Sequence, residues 1–193
     1  MAIVKASFTR RAADAKRFVR YIAHRSAGRP GRVAREIWDG QGTLDRLAAY
    51  ELIDRHPEGR GTNYFRFAIS PDPQREDTRR DLDIRAITAR TMRALEDRLG
   101  RPVEWVAALH EEHADHRHAH VLAIVHGTVR SPDLRALAQE ATAAAAQQRR
   151  QRDQEQQRGR QQDADRVPRG TNAAREPTGA EHVQRGPQLE RGR

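Results

Sequence analysis

The residues of this chain best suited to chemistry are histidines gathered in one short stretch. Six of the nine histidines lie between residues 110 and 126; they are His110, His113, His116, His118, His120 and His126. Random scatter of nine histidines along 193 residues would not give that density. Because imidazole binds metal ions and exchanges protons near neutral pH, the cluster points to a metal site or to acid–base chemistry.

The elements around the cluster predict which imidazoles converge. Residues 103–109 and 119–125 have the pattern of strands, and the short polar segment between them predicts an antiparallel hairpin. His118 and His120 are two residues apart, so both should project from one sheet face, and His110 at the end of the preceding strand should lie beside them. Three neutral imidazoles at one point form a metal site with open coordination positions. The alternative is a solvated loop with a few hydrogen-bonding histidines.

The other three histidines of the cluster are weaker candidates for metal ligands. His113 and His116 are interpreted as loop residues, because only strand positions have a fixed direction. His126 is interpreted as a residue at the end of a strand.

Tyrosine is the natural candidate for a nucleophile that forms a covalent intermediate, because the chain has no cysteine. Tyr21, Tyr50 and Tyr64 all precede the histidine cluster. The helical period places Tyr21 on the flank of an apolar stripe, from where its phenol could reach over the sheet. The alternative is a helix tyrosine with its hydroxyl in water. Tyr64, which shares a strand face with Arg66, is the reserve candidate, and Tyr50 is expected to pack.

The elements that must position these residues predict an α+β fold, with a central antiparallel β-sheet flanked by helices. Further strands are predicted over residues 3–8 and 63–69, the latter with Phe65 and Phe67 on one face. Helices are predicted over residues 11–24, 44–55 and 84–99. Gly28 and Pro30 should end the first helix, a capping box of Thr78 and Asp81 should precede the third, and Gly100 should end it.

Composition divides the chain into three parts. Residues 1–130 carry all the aromatic residues and the strongly apolar runs, so they are predicted to form the folded domain. Residues 131–160, rich in Ala, Gln and Arg, are predicted to form an exposed helix. Residues 161–193 have Pro and Gly without apolar periodicity and are predicted to be a disordered basic tail.

The charge balance favours a polyanionic partner. The formal net charge is +9, and nearly all of the basic residues are arginines, whose guanidinium groups fit phosphate. Single-stranded nucleic acid is held by basic grooves together with aromatic stacking. We expect Arg17 and Arg20, which flank Tyr21, and Arg66 to contact phosphate, and Trp38 is the best exposed stacking candidate.

Composition also limits the class of protein. The absence of cysteine excludes a disulfide scaffold, a Cys-ligated zinc finger and a thiol nucleophile. No stretch has the apolar length of a signal peptide or membrane span, so we expect a soluble cytoplasmic protein without a membrane partner.

Three segments of the chain resemble the motifs of one enzyme family. Residues 110–122 resemble the third motif of conjugative relaxases of the MobA/VirD type, which are mobilisation proteins of the HUH endonuclease superfamily, named for His–hydrophobic–His. Residues 17–23 resemble the first motif, whose tyrosine is the nucleophile, and residues 67–71 resemble the second, whose serine lies close to bound DNA. The resemblance extends from the N-terminus to about residue 125.

The resemblance implies a DNA relaxase with a palm like that of RNA-recognition (RRM) domains, which nicks and rejoins one strand at a plasmid or mobile-element transfer origin. Tyr21 would attack and leave a 5′-phosphotyrosyl link, and Ser70 would lie near DNA. A divalent metal, Mg²⁺ or Mn²⁺ with Zn²⁺ as an alternative, would be held by His110, His118 and His120. The expected partners are single-stranded or supercoiled DNA at the transfer origin, accessory mobilisation proteins and a type IV coupling protein.

One position departs from the family pattern. Glu112 stands where these relaxases usually have aspartate, and we expect it to assist catalysis, with Asp115 as its competitor. Both could equally be solvated loop charges.

The region after the histidines also departs from the family, which usually has a longer sheet there and a large C-terminal region. Two other hypotheses therefore stay open. The first is a catalytically inactive or accessory metal- and DNA-binding module derived from a relaxase. The second is a metal-dependent phosphodiesterase that uses metal-bound water, which would not need Tyr21.

Overall fold

A computed structural model describes residues 1–24, 35–59, 61–111 and 116–166 of the chain, with the side chains of 163–166 left out. The described elements, in chain order, are β1 (Ile3–Thr9), α1 (Ala12–Ala23), β2 (Ile37–Trp38), β3 (Thr43–Leu44), α2 (Arg46–Asp54), β4 (Thr62–Ser70), α3 (Ile84–Leu99), β5 (Glu104–His110), β6 (His118–His126) and α4 (Ser131–Arg166). The chain divides into two units, Met1–Gln156 and Gln157–Arg193. Apart from the last residues of α4, the features below belong to the first unit.

The strands form one sheet in the order β1-β4-β6-β5-β2-β3. Every neighbouring pair is antiparallel, which confirms the predicted α+β class. β5 and β6 form the predicted hairpin, and their register places His110 directly opposite His118.

Helices cover both faces of the sheet because each strand alternates between two apolar clusters. On one face, α1 and α2 bury Val19 and Ile53 against sheet residues such as Leu122. On the other face, α3 and the first half of α4 pack against a cluster that includes Phe65 and Phe67. The predicted alternation in β4 is confirmed, because Tyr64 belongs to the first cluster.

The first two helices lie close to their predicted positions. Ala15, Val19 and Ile22 are buried at helical spacing along α1, which ends at Ala23. The proposed terminators Gly28 and Pro30 lie outside the described residues. α2 begins after Asp45, whose side chain accepts a hydrogen bond from the backbone N–H of Ala48 at 2.8 Å.

The predicted capping box before α3 is wrong. The side chain of Asp83 caps this helix by accepting from the N–H of Ala86 at 3.0 Å, whereas Asp81 pairs with Arg149 of α4 at 2.8 Å. Thr78 and Asp81 have the spacing of a capping box, but the helix begins later, after Asp83, and Asp81 has its partner in α4. Gly100 ends α3 as predicted, in a left-handed conformation with φ of 64°.

The last helix differs from the prediction of an exposed helix after residue 130. Leu137, Ala141 and Ala145 are fully buried, and the compact unit continues to Gln156. Alanines at helical spacing allow the helix to approach the sheet closely although each contributes little hydrophobicity. Residues 161–166 continue α4, and the rest of the predicted disordered tail lies outside the described residues.

Trp38 also differs from its prediction as an exposed stacking residue. It lies in the two-residue strand β2, its side chain is 4% exposed, and the guanidinium of Arg85 covers its ring at 4.7 Å. A strand this short leaves no periodic signal, so the neighbouring glycines made the segment resemble a loop. None of the described helices is long and apolar enough to cross a membrane.

Candidate metal centre and the tyrosine beside it

The three histidines predicted to converge lie together on one face of the β5–β6 hairpin. The ring centroids of His110 and His120 are 4.4 Å apart, and those of His118 and His120 are 4.8 Å apart. One ligand nitrogen from each ring lies within 4.8 Å of the others. The period of two along β6 aligns one pair, and the hairpin register brings in the third member. These residues could hold a metal ion.

Burial keeps the three imidazoles neutral. Loss of solvent, followed by the field of His120 and Arg35, lowers the pKa of His110 to about 3. Loss of solvent, followed by the field of His118, lowers the pKa of His120 to about 4. Desolvation is also the largest cause of the lowered pKa of His118. A neutral imidazole offers the lone pair that a metal needs, so the cluster is prepared for a cation near pH 7.

The orientation of His118 fits the same role. Its Nδ1 lies 3.4 Å from the backbone oxygen of His116, and its Nε2 lies 3.2 Å from Nε2 of His120. A ring that donates from Nδ1 to a carbonyl presents its Nε2 lone pair to a metal, which is the usual arrangement of histidine ligands. Three convergent nitrogens that leave coordination positions open fit a divalent cation such as Mn²⁺ or Zn²⁺.

Tyr21 lies beside this cluster. Its ring centroid is 5.8 Å from that of His110 and 6.0 Å from that of His120. The buried positions Val19 and Ile22 fix the rotation of α1 and leave Tyr21 on its flank, where the side chain is 53% exposed. The phenol is therefore next to the histidines and open to solvent.

The other two tyrosines have different surroundings. Tyr64 is fully buried, its hydroxyl donates to the backbone oxygen of His56 at 2.6 Å, and burial raises its pKa. Tyr50 is half-buried, with the ammonium of Lys16 5.8 Å from its ring centroid. Of the three tyrosines, all within the described part of the chain, Tyr21 alone has ring contacts with the histidine cluster.

Two adjoining clefts lie beside Tyr21 and His120. One, of about 470 Å³, is lined by Arg17, Phe18, Tyr21 and Arg66, together with Asp14. The other, of about 350 Å³, shares Phe18 and Arg66 and reaches Lys5 and His120. The cation of Arg66 lies 5.3 Å from the Phe18 ring centroid. The two clefts thus share an aromatic ring and a guanidinium, a combination with which proteins bind single-stranded nucleic acid.

The remaining predicted arginines are exposed. Arg17 lies 3.6 Å from Asp14 in a surface ion pair and lines the first cleft. Arg20, one residue before Tyr21, is exposed on α1. Their contacts with DNA stay predictions.

Ser70 is buried, and its hydroxyl is directed at the protein backbone. It lies 3.3 Å from the carbonyl oxygen of Arg117, so it supports the residue that precedes His118. Its contact with DNA stays a prediction.

Glu112, Asp115 and His113 lie outside the described residues. His116 lies in the connection between the two strands, exposed to solvent. His126 ends β6, as predicted, and its ring centroid lies 5.4 Å from that of His56, far along the strand from the cluster.

Two contacts beside the cluster, which involve Arg35 and the pair Asp77–Arg117, were not predicted from the sequence. Arg35 places Nη1 3.2 Å from Nε2 of His110, although 75 residues separate them in the chain. Asp77 and Arg117 form a buried ion pair at 2.8 Å immediately before His118. Arg35 and Asp77 lie in no motif or periodic pattern, and Arg117, although it lies within residues 110–122, has the pattern of a loop charge, so no local signal predicts these contacts. No family model, curated protein or solved structure matches the chain.

Proposed function

We propose that this protein is a DNA relaxase, which nicks and rejoins a single DNA strand with Tyr21 as the nucleophile. The observation that supports this most is the position of an exposed phenol beside three neutral imidazoles. The adjoining clefts, with an aromatic ring and arginines, offer a path for a single strand. The substrate would be single-stranded or supercoiled DNA at a transfer origin of a plasmid or mobile element.

His110, His118 and His120 would hold a divalent metal ion. When bound, such an ion neutralises the negative charge that develops on the phosphate oxygens. The lowered pKa values of His110 and His120 keep these rings unprotonated near neutral pH, so binding requires no proton to leave them.

Tyr21 would attack the phosphorus of the bound strand. The phenol gives up its proton as its oxygen forms a bond to phosphorus, and the bond between phosphorus and the 3′ oxygen breaks. The 3′ oxygen takes up a proton and leaves as a hydroxyl, while the 5′ phosphate stays on Tyr21. The reverse reaction seals the strand, so no nucleotide cofactor is needed.

Arg66 and Arg17 would hold the phosphate backbone on the approach to Tyr21. Arg66 is poised by its stacking on Phe18 and by a donation to the backbone oxygen of Asp14 at 3.4 Å. A guanidinium held in this way loses little freedom when a phosphate binds. Ser70 would act indirectly, through the backbone of Arg117, and Glu112 stays a candidate for proton transfer.

The test uses single-stranded oligonucleotides that tile the DNA flanking the gene, together with Mn²⁺. The wild-type chain should yield a cleaved strand and a protein–DNA species that survives denaturing electrophoresis. Tyr21→Phe should remove both products, because phenylalanine has no oxygen to attack phosphorus. Tyr50→Phe is the matched control and should behave like the wild type.

The open alternatives give different outcomes in the same assay. Cleavage by Tyr21→Phe without a covalent species would favour a metal-dependent phosphodiesterase that acts through water. Binding of DNA without cleavage by any variant would favour a catalytically inactive metal- and DNA-binding module.

A further inference from the structure

Arg35 lies at the edge of the histidine cluster, immediately before β2. Its backbone N–H donates to the carbonyl oxygen of Ala23 at the end of α1, at 2.8 Å. Its guanidinium Nη1 donates to the carbonyl oxygen of His24 at 3.2 Å and lies at the same distance from Nε2 of His110. The residue is therefore anchored where α1 and β5 meet, with its charged end beside Nε2 of His110.

The contact between Arg35 and His110 uses the lone pair that a metal would need. A neutral imidazole has one N–H and one lone pair, and a guanidinium is only a donor. Nε2 of His110 must therefore be the acceptor in this contact. If His110 bound a metal through Nδ1 instead, Nε2 would carry the proton. Two hydrogen-bond donors, Nε2–H and the guanidinium, would then face each other and could not form a hydrogen bond. The contact and metal binding by His110 exclude each other in either case.

Charge leads to the same conclusion. Arginine stays protonated at any pH at which the protein is folded. Nη1 of Arg35 lies 3.2 Å from Nε2 of His110, so this positive charge stands at the edge of the cluster. Because like charges repel, it disfavours a divalent cation bound to the same ring.

We propose that Arg35 is a resident cation that holds His110 in the metal-free protein and must leave it before a metal can bind. The inference rests on metal binding by the histidine cluster, which is part of the proposed function. A phosphodiester supplies the guanidinium with a new partner, because its fork fits two phosphate oxygens. Tyr21 and Arg35 contact the same ring, that of His110, so a phosphate at the phenol would approach the guanidinium as well. Metal and phosphodiester therefore bind cooperatively, with Arg35 as the coupling residue.

The first test measures the affinity for Mn²⁺ without DNA, from the electron paramagnetic resonance signal of the free ion. Arg35→Met should bind Mn²⁺ about tenfold more tightly than the wild type, because a donor and a charge no longer compete for His110. Arg46→Met is the matched control: Nη1 of Arg46 lies 2.6 Å from Nε2 of His24, an arginine–histidine contact outside the cluster. Its affinity should stay at the wild-type value.

The sign of the change separates competition from a structural role. Loss of a structural arginine would weaken binding, so equal or weaker affinity in Arg35→Met would overturn the proposal. The titration needs no turnover, and the result stands whether or not the chain nicks DNA. If the wild type nicks DNA but Arg35→Met binds Mn²⁺ with the wild-type affinity, this inference is refuted and the proposed function is not. A wild-type chain and an Arg35→Met variant that both fail to bind Mn²⁺ would refute the metal centre and the inference with it.

The second test repeats the titration with a short single-stranded oligothymidine. Any direct contact between metal and phosphate is the same in the wild type and in Arg35→Met, so the difference between them measures the contribution of Arg35. The oligonucleotide should raise the Mn²⁺ affinity of the wild type by a larger factor than that of Arg35→Met. Equal factors would overturn the coupling.

A third measurement uses the wild-type protein alone and does not depend on the folding of a variant. On titration with diamagnetic Zn²⁺, the guanidinium proton signals of Arg35 should shift and exchange faster with solvent as the side chain leaves His110. The signals of Arg117, held by Asp77 at 2.8 Å, are the internal control. Arg35 signals that stay unchanged when Zn²⁺ saturates the protein would contradict displacement.

Discussion

Replacement of Asp77 by alanine tests whether a buried ion pair sets the position of His118. The carboxylate of Asp77, 4% exposed, accepts from Nε and Nη2 of Arg117 at 2.8 and 3.1 Å. Its Oδ1 also accepts from the backbone N–H of Leu82 at 3.2 Å, and Arg117 Nη2 donates to the carbonyl of Leu82 at 2.6 Å. Since Arg117 directly precedes His118, these contacts tie the start of β6 to the segment before α3.

The size of the effect follows from burial. Removal of one partner of a buried pair costs about 3–5 kcal/mol, because the other charge loses its buried counter-charge. Without Asp77, Arg117 would keep the half-exposed carboxylate of Glu111, 3.7 Å from its Nη1, as a weaker partner. The Arg117 side chain is 10% exposed, so water can solvate its charge only after local rearrangement. We therefore expect Asp77→Ala to lower the free energy of unfolding by about 3–5 kcal/mol. Asp77→Asn retains an acceptor oxygen and should lose less.

Urea unfolding followed by circular dichroism measures this loss as a lower midpoint at an unchanged slope. Asp54→Ala is the matched control. It removes a surface pair with Lys16, in which the carboxylate is 60% exposed, and should cost below about 1 kcal/mol. Under conditions where Asp77→Ala stays folded, its affinity for Mn²⁺ should fall about tenfold or more, because His118 loses its fixed orientation.

Two results would refute this reasoning. A loss in Asp77→Ala no larger than that in Asp54→Ala would show that the pair contributes little to stability. A full stability loss with unchanged Mn²⁺ affinity would separate the ion pair from the metal centre.

Three other predictions use the same measurements. Because burial lowers the pKa of His110 to about 3, that of His120 to about 4 and that of His118 below its ordinary value, Mn²⁺ affinity should decline only at a pH below the ordinary histidine value of about 6.5. A decline centred at pH 6.5 or above would contradict it. Arg66→Met should weaken the binding of single-stranded DNA and reduce the salt dependence by about one charge in fluorescence anisotropy, and an unchanged slope would exclude a phosphate contact. Tyr64→Phe, which removes the hydroxyl that donates to His56 at 2.6 Å, should cost about 1 kcal/mol in urea unfolding and leave nicking intact; loss of nicking would contradict the choice of Tyr21.

The parts of the fold and site that local spacing determines could be predicted from the sequence. Two histidines separated by one residue must share a sheet face, and a short polar connection brings the preceding strand beside them. His110, His118 and His120 therefore meet as expected. The rotation of α1 follows from its buried residues, and this rotation leaves Tyr21 on the flank that faces the cluster.

Contacts between distant segments could not be predicted in this way. The Asp77–Arg117 pair joins residues 40 apart, and neither residue differs in pattern from a surface charge. The burial of Trp38 depends on a two-residue strand added to the sheet by pairing with β5. The burial of α4 depends on alanines that fit closely against the sheet. Composition alone predicts that these alanines are exposed.

The most direct test of the proposed function is the identity of the residue that holds the cleaved DNA. The covalent species is digested with protease, and the nucleotide-bearing peptide is sequenced by mass spectrometry, while a polymerase tests whether the released strand ends in a free 3′-hydroxyl. The proposed function predicts a nucleotide linked through its 5′ phosphate to Tyr21 and a released strand that the polymerase extends. An adduct on another residue, a 3′ linkage, or cleavage without any adduct would contradict it.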